Sequence, residues 1–125
     1  MNKSRRKRIA VAIRDLEKTI KHNFIDNYID FIKDEIEDIL WEENDAYDNI
    51  PENLQYSIRG EESSEAIDNL QEAVDLLEEA IDIINDINDI DDEDDEDDED
   101  NEKESRIDEI NDYINQAIDV LEQII

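Results

Sequence analysis

Cysteine is absent from this 125-residue chain, which excludes disulfides, thiolate metal sites and thiol nucleophiles and fits a reducing compartment. Glycine and proline occur once each, as Gly60 and Pro51, so strong turn signals are confined to residues 44–64 and the rest is free to be helical. One histidine, His22, and scattered serines leave acid–base and nucleophilic catalysis without their usual groups. The expectation is a non-enzyme without a cofactor. No apolar run approaches the ~20 residues that cross a bilayer, so no membrane contact is expected. The basic residues 1–8 look like the front of a secretion signal, but Arg14, Asp15, Glu17 and Lys18 interrupt the segment that would then have to be apolar. The chain reads as unprocessed and cytoplasmic.

Negative charge, by contrast, is abundant. The chain holds 41 Asp and Glu against 12 Lys and Arg, a formal charge of −29. The division is uneven: Lys3, Arg5, Arg6, Lys7, Arg8, Arg14, Lys18 and Lys21 face only Asp15 and Glu17 in the first 21 residues, so the remainder carries −35. High charge with low hydropathy favours disorder, yet Ile, Leu and Val recur at regular intervals, which favours a folded core.

Ile9, Ile13, Leu16, Ile20, Phe24, Tyr28, Ile32, Ile36 and Ile39 succeed one another at three or four residues, the spacing of one helical face. This predicts one long first helix over about residues 7–44. In the connection, Asn49 can cap, Pro51 suits a first turn and Glu52 sits at the capping-box position, predicting a short helix to about Ile58 ended by Gly60. A second long helix is expected to open at Ser63 or Ser64, with Glu65 at the positive end of its dipole.

Residues 65–85 read EAIDNLQ, EAVDLLE, EAIDIIN, three heptads with Ile67, Val74 and Ile81 at one core position and Leu70, Leu77 and Ile84 at the other. Ala66, Ala73 and Ala80 flank this seam. A third helix, about residues 105–125, repeats the register through Ile107, Ile110, Ile114, Ala117, Leu121 and Ile124, and its QAIDVLEQII mirrors EAVDLLEEAI at 72–81. Ahead of it lies an unbroken acidic run: Asp91, Asp92, Glu93, Asp94, Asp95, Glu96, Asp97, Asp98, Glu99 and Asp100. Such a block repels itself, and residues 91–104 are expected to be a flexible solvated loop.

The expected fold is all-α: one domain over residues 1–125, an antiparallel three-helix (up-down-up) bundle with a long first helix and an acidic loop between helices 2 and 3. This topology places the acidic loop at the same end as the basic residues 3–8. At 1.5 Å per residue the helices measure roughly 57, 39 and 30 Å, so the third covers only part of the others. Phe24, Phe31 and Trp41 are then left uncovered, which predicts a homodimer or a partner contact.

Metal chemistry finds little support. No Glu-x-x-His exists for a di-metal bundle, and no Gly lies between Glu61 and Ile125 to form the sharp turn of an EF-hand loop. The basic residues 3–8 fit phosphate, but the overall charge of −29 opposes direct nucleic-acid binding. The reverse fits better. Along the second predicted helix Glu65, Asp68, Glu72, Asp75, Glu79 and Asp82, with Glu78, place about one charge per 4 Å, against about one per 3.4 Å in each DNA strand. Asp26, Asp30, Asp34, Glu37 and Asp38 offer a second acidic face. These carboxylates and the ten of residues 91–100 are the candidate partner-binding residues, the partner being a basic nucleic-acid-binding protein. The alternatives are a helical adaptor that binds through an apolar face around Phe31, Ile36 and Trp41, and acids that merely solvate a bundle.

The segment AYDNIPENLQYSIRGEESSEAIDNLQEAVDLLEEAID (46–82), with its Asp48-Asn49-Ile50-Pro51-Glu52 turn and a basic NKSRRKRI start, resembles small acidic helical proteins of bacteriophages and prophages. The resemblance covers most of the chain apart from residues 91–100. It implies a phage origin and a bacterial host cytoplasm, and by class it is similar to counter-defence proteins that imitate DNA, of anti-restriction or anti-CRISPR type. It transfers no functional residue, so the site assignment rests on charge.

Overall fold

The computed structural model describes the backbone of residues 2–21, 28–54, 56–90 and 97–125, and the side chains of these except 21, 28, 87–90 and 97–104. The described residues are all-helical: α1 (Lys3–Lys21), α2 (Tyr28–Asp48), a 3-10 turn (Glu52–Leu54), α3 (Ile58–Ile90) and α4 (Asp97–Glu122). The three-helix expectation is corrected to four. The apolar spacing runs in phase from Ile9 to Ile39 and so read as one helix, but α1 and α2 lie side by side. Periodicity alone does not report a chain reversal.

The helices pack in a ring, α1 on α2, α2 on α3, α3 on α4 and α4 back on α1, which leaves α1 diagonally across from α3. Named contacts fix the directions. Arg5 and Arg8 at the start of α1 meet Glu43 and Glu42 near the end of α2. Lys33 early in α2 reaches Glu78 in α3, and Asp86 late in α3 reaches Arg106 early in α4. Arg6, Ala66 and Ile124 line one cleft. Each helix is therefore antiparallel to its neighbours, an up-down-up-down bundle.

The additional reversal overturns the expected charge pairing at the ends. Ile90 and Asp97, which flank residues 91–96, lie at the end of the bundle remote from Arg5, and Arg5 and Arg8 pair instead with Glu43 and Glu42 near the end of α2. Residues 91–96 lie outside the described part. Residues 97–104, expected in the loop, belong to α4, and α4 starts eight residues earlier than expected. Acidic residues are favoured in a first helical turn, where the dipole is positive.

Local hydrogen bonds explain two further boundaries. Asn2 caps α1: its Oδ1 accepts from the Arg5 N–H at 2.8 Å and its carbonyl from the Arg6 N–H at 3.1 Å. Ser57 caps α3 in the same way, accepting at Oγ from the Gly60 N–H at 3.3 Å and at its carbonyl from the Glu61 N–H at 2.9 Å. Gly60 is thus a buried first-turn residue and not the end of a short helix, and α3 opens at Ile58, not at Ser63 or Ser64. Among the described residues between Pro51 and α3, the 3-10 turn Glu52–Leu54 is the one helical element.

Ile9, Leu16, Ile32, Ile36, Ile39, Leu70, Leu77, Ile110, Ile114 and Leu121 fill the core. On α3 the seam is rotated from its expected position. Leu70, Val74 and Leu77 are buried as expected, but Ala66, Ala73 and Ala80 are buried with them, while Ile67, Ile81 and Ile84 are only half-buried at the margin. α3 packs against both α2 and α4, and small residues in the centre of its buried arc let two neighbours approach. On α4, Ile118 and Val120 join the buried set, while Ile107 and Ile124 lie at its edge.

Candidate partner-binding surface

Burying Ala66, Leu70, Ala73, Leu77 and Ala80 turns the opposite face of α3 to solvent, because a residue advances about 100° around the helix. Glu65, Asp68, Glu72, Asp75, Glu79 and Asp82 all lie there and all are exposed. Glu61 and Asp86 extend the row at either end, so acids recur every seven residues in two series, 61, 68, 75, 82 and 65, 72, 79, 86. Asp75 accepts a hydrogen bond from Gln71 at 3.1 Å, and Asp86 pairs with Arg106 at 3.6 Å. Glu65, Asp68, Glu72, Asp75, Glu79 and Asp82 have no ion-pair partner among the described residues. Glu78 stands apart, beside α2, where Lys33 reaches it at 3.8 Å.

Both neighbours of α3 add carboxylates. On α2, Asp30, Asp34 and Asp38 are exposed, whereas Glu37 is half-buried 3.7 Å from Lys33; Asp26 lies outside the described residues. On α4, Asp108, Asp112 and Asp119 are exposed. Neighbouring helix axes stand about 8–10 Å apart, so the acidic rows run alongside one another. Asp97, Asp98, Glu99 and Asp100 begin α4, next to the Asp86 end of the α3 row, whereas Asp91, Asp92, Glu93, Asp94, Asp95 and Glu96 lie outside the described residues.

The diagonal helix has the opposite sign. Lys3, Arg6, Lys7, Arg14 and Lys18 are exposed on α1. The apolar face expected of an adaptor is altered: Phe31 and Trp41 are exposed, at 59% and 62%, but Ile36 is fully buried, and Phe24 lies outside the described residues.

A buried polar node at the Arg5 end was not foreseen. Glu43 is 1% exposed; its Oε2 accepts from Arg5 Nε at 2.9 Å and its Oε1 accepts from the buried Ser63 hydroxyl at 2.6 Å. One carboxylate thereby ties α1, α2 and α3 together. The sequence held the signal: position 43 continues the inward spacing of Ile36, Ile39 and Leu40, and Ser63 sits one helical turn before Ala66 and Ile67. Beside the node, Asn2, Arg59, Glu62 and Ile50 border an open polar cleft of about 370 Å³.

Among the described residues no group of three His, Cys, Asp or Glu is arranged to hold a metal ion, and no helix is long and apolar enough to cross a membrane. Comparisons with protein-family models, curated proteins and solved structures find no match to this chain.

Proposed function

We propose that this protein inhibits a nucleic-acid-binding protein by occupying its basic channel, with carboxylates standing where phosphates would lie. The observation that carries the reading is the exposed, unneutralised acidic row of α3. Six carboxylates from Glu65 to Asp82 cover about 26 Å, one per ~5 Å, against one per ~3.4 Å in a DNA strand. The rows on α2 and α4 raise the density on either side.

The row also opposes folding. Glu61 and Glu65, Asp68 and Glu72, Asp75 and Glu79, and Asp82 and Asp86 are like charges four residues apart, each pair unfavourable by roughly 0.2–0.5 kcal/mol. Solvating a helix needs no such arrangement, since mixed signs serve that purpose without the repulsion. A destabilising pattern maintained over four repeats fits a binding role better than a solubilising one.

On this reading the protein is phage-encoded, works in the bacterial host cytoplasm and targets a defence nuclease of restriction or CRISPR type. Attraction between α3 and a basic channel makes association fast and strongly dependent on salt. The experiment is capture of host proteins on the immobilised chain, with duplex DNA as competitor. Expected is a nucleic-acid-binding protein that DNA displaces, that the chain inhibits, and that Asp68→Asn/Asp75→Asn/Asp82→Asn no longer binds. Retention of the partner in excess DNA and at high salt overturns the reading.

A second reading, an adaptor, draws on the exposure of Phe31 and Trp41. Trp41→Ala disables an adaptor that uses the outer face of α2 and leaves a mimic intact.

A further inference from the structure

A second surface feature lies on the α1–α2 face of the bundle, opposite the α3–α4 face. Between α1 and α2 runs a groove of about 80 Å³, several times the ~10–15 Å³ that holds one water. Ala12 and Ile32 form its floor, and Val11 and Phe31, 54% and 59% exposed, stand at its mouth. Two large apolar side chains are thus more than half exposed on adjoining helices.

Arg8 and Asp15 on α1 and Glu35 on α2 complete the lining, and outside it the two flanks differ in sign. Lys7, Arg14 and Lys18, four residues before and three and seven after Val11, share its side of α1 and are exposed. Asp34 and Asp38, three and seven residues after Phe31, share its side of α2 and are also exposed. Trp41 is not part of the groove, being turned about 80° around α2 from Phe31.

We propose that the α1–α2 groove receives an amphipathic helix of a partner protein, its apolar stripe on Val11 and Phe31, its acidic flank along α1 and its basic flank along α2. Complementarity selects the occupant. A polyanion meets repulsion from Asp34 and Asp38 and from the charge of −29 beyond them. A polycation meets Lys7, Arg14 and Lys18. A helix carrying one sign on each flank satisfies both walls while its centre displaces water from the floor.

The same geometry sets the length and direction of the occupant. The basic wall from Lys7 to Lys18 is about 16 Å long, so the docked segment needs three to four turns. Reversing a helix end for end exchanges its flanks, so the two signs fix its direction, as flanking charges do in coiled coils. The groove shares no residue with the acidic row of α3, so it stands whether or not α3 imitates nucleic acid.

The test uses the full chain and a synthetic 14-residue amphipathic helix with Leu at the core positions, Glu on one flank and Lys on the other, monitored by fluorescence anisotropy. Expected is saturable 1:1 binding that weakens about 10-fold in Phe31→Ser, in Val11→Ser and in Lys7→Glu/Arg14→Glu, the loss typical of a central contact. The α3 variant Asp68→Asn/Asp75→Asn/Asp82→Asn binds the peptide as the parent chain does. Absence of saturable binding, or equal affinity in the groove variants, overturns the proposal. So does binding of a single-stranded oligonucleotide in place of the peptide, or a sedimentation mass of two chains that Phe31→Ser returns to one, which makes the occupant a second copy.

Discussion

Arg5 Nε stands 2.9 Å from Glu43 Oε2, joining the first turn of α1 to the last turns of α2 through a carboxylate that is 1% exposed. Buried charge is tolerated only when paired, and removal of one partner is far more disruptive than removal of both. Arg5→Met is expected to destabilise the bundle by about 3 kcal/mol in urea unfolding, because it leaves a charge of one sign in the interior. The double replacement Arg5→Met/Glu43→Leu is expected to recover most of that loss. Equal destabilisation by the single and double variants contradicts this pairing.

Neutralising the outer face of α3 is expected to stabilise the protein. Asp68→Asn/Asp75→Asn/Asp82→Asn removes four like-charge contacts at four-residue spacing, 68 with 72, 75 with 79, and 82 with both 78 and 86, a gain of about 1 kcal/mol. In thermal unfolding this corresponds to a rise of roughly 3–6 °C for a chain of this size. A lower Tm means that these carboxylates make stabilising contacts.

Salt acts in the same direction. Between 10 mM and 300 mM the screening length falls from about 30 Å to below 10 Å, which weakens repulsion among acids spread over α2, α3 and α4. Tm is expected to rise over this interval, and the rise is expected to be smaller in the α3 triple variant. A fall in Tm would mean that ion pairs such as Arg8 with Glu42 dominate over the repulsion.

Ser57→Ala is expected to cost about 1 kcal/mol by removing the cap whose Oγ accepts from Gly60, and to lower helicity at the start of α3. Hydrogen exchange at residues 58–61 reads this locally. Unchanged protection there contradicts the capping role.

Asn111 Oδ1 is buried without a hydrogen-bond partner among the described residues. An unsatisfied buried acceptor is unfavourable by about 1–3 kcal/mol, so Asn111→Leu is expected to raise stability by about 1 kcal/mol. Destabilisation in this variant shows that the amide has a partner or a role that leucine cannot supply.

Much of the fold was legible because burial tracks periodicity. Ile9, Leu16, Ile32, Ile36 and Ile39 are buried as their spacing predicts, as are Ile110, Ile114, Ala117 and Leu121 on α4. The separation of α1 from α2 was not legible. The spacing stays in phase across it without Gly or Pro, and only Asn23, Asp26 and Asn27, weak helix formers, mark the stretch. The missed reversal puts Ile90 and Asp97 at the end of the molecule remote from Arg5. On α3, Leu70, Val74 and Leu77 are buried as the heptads predict, but the seam is turned toward Ala66, Ala73 and Ala80, because a heptad seam suits one neighbour and alanines become central when a helix has two. Exposure of the six α3 carboxylates came directly from the same pattern. The burial of Glu43 was not legible from its acidity, which suggests solvent; its position on the inward stripe decides it.

The ring order has a consequence for how this molecule meets another. With Lys3, Lys7, Arg14 and Lys18 on one corner and the carboxylates of α3 on the corner diagonally across, the charge centroid is displaced from the centre of mass. In the field of a strongly charged surface such a particle experiences a torque as well as a pull. It turns like a compass needle during approach, so the face that arrives first is selected before any side chain touches.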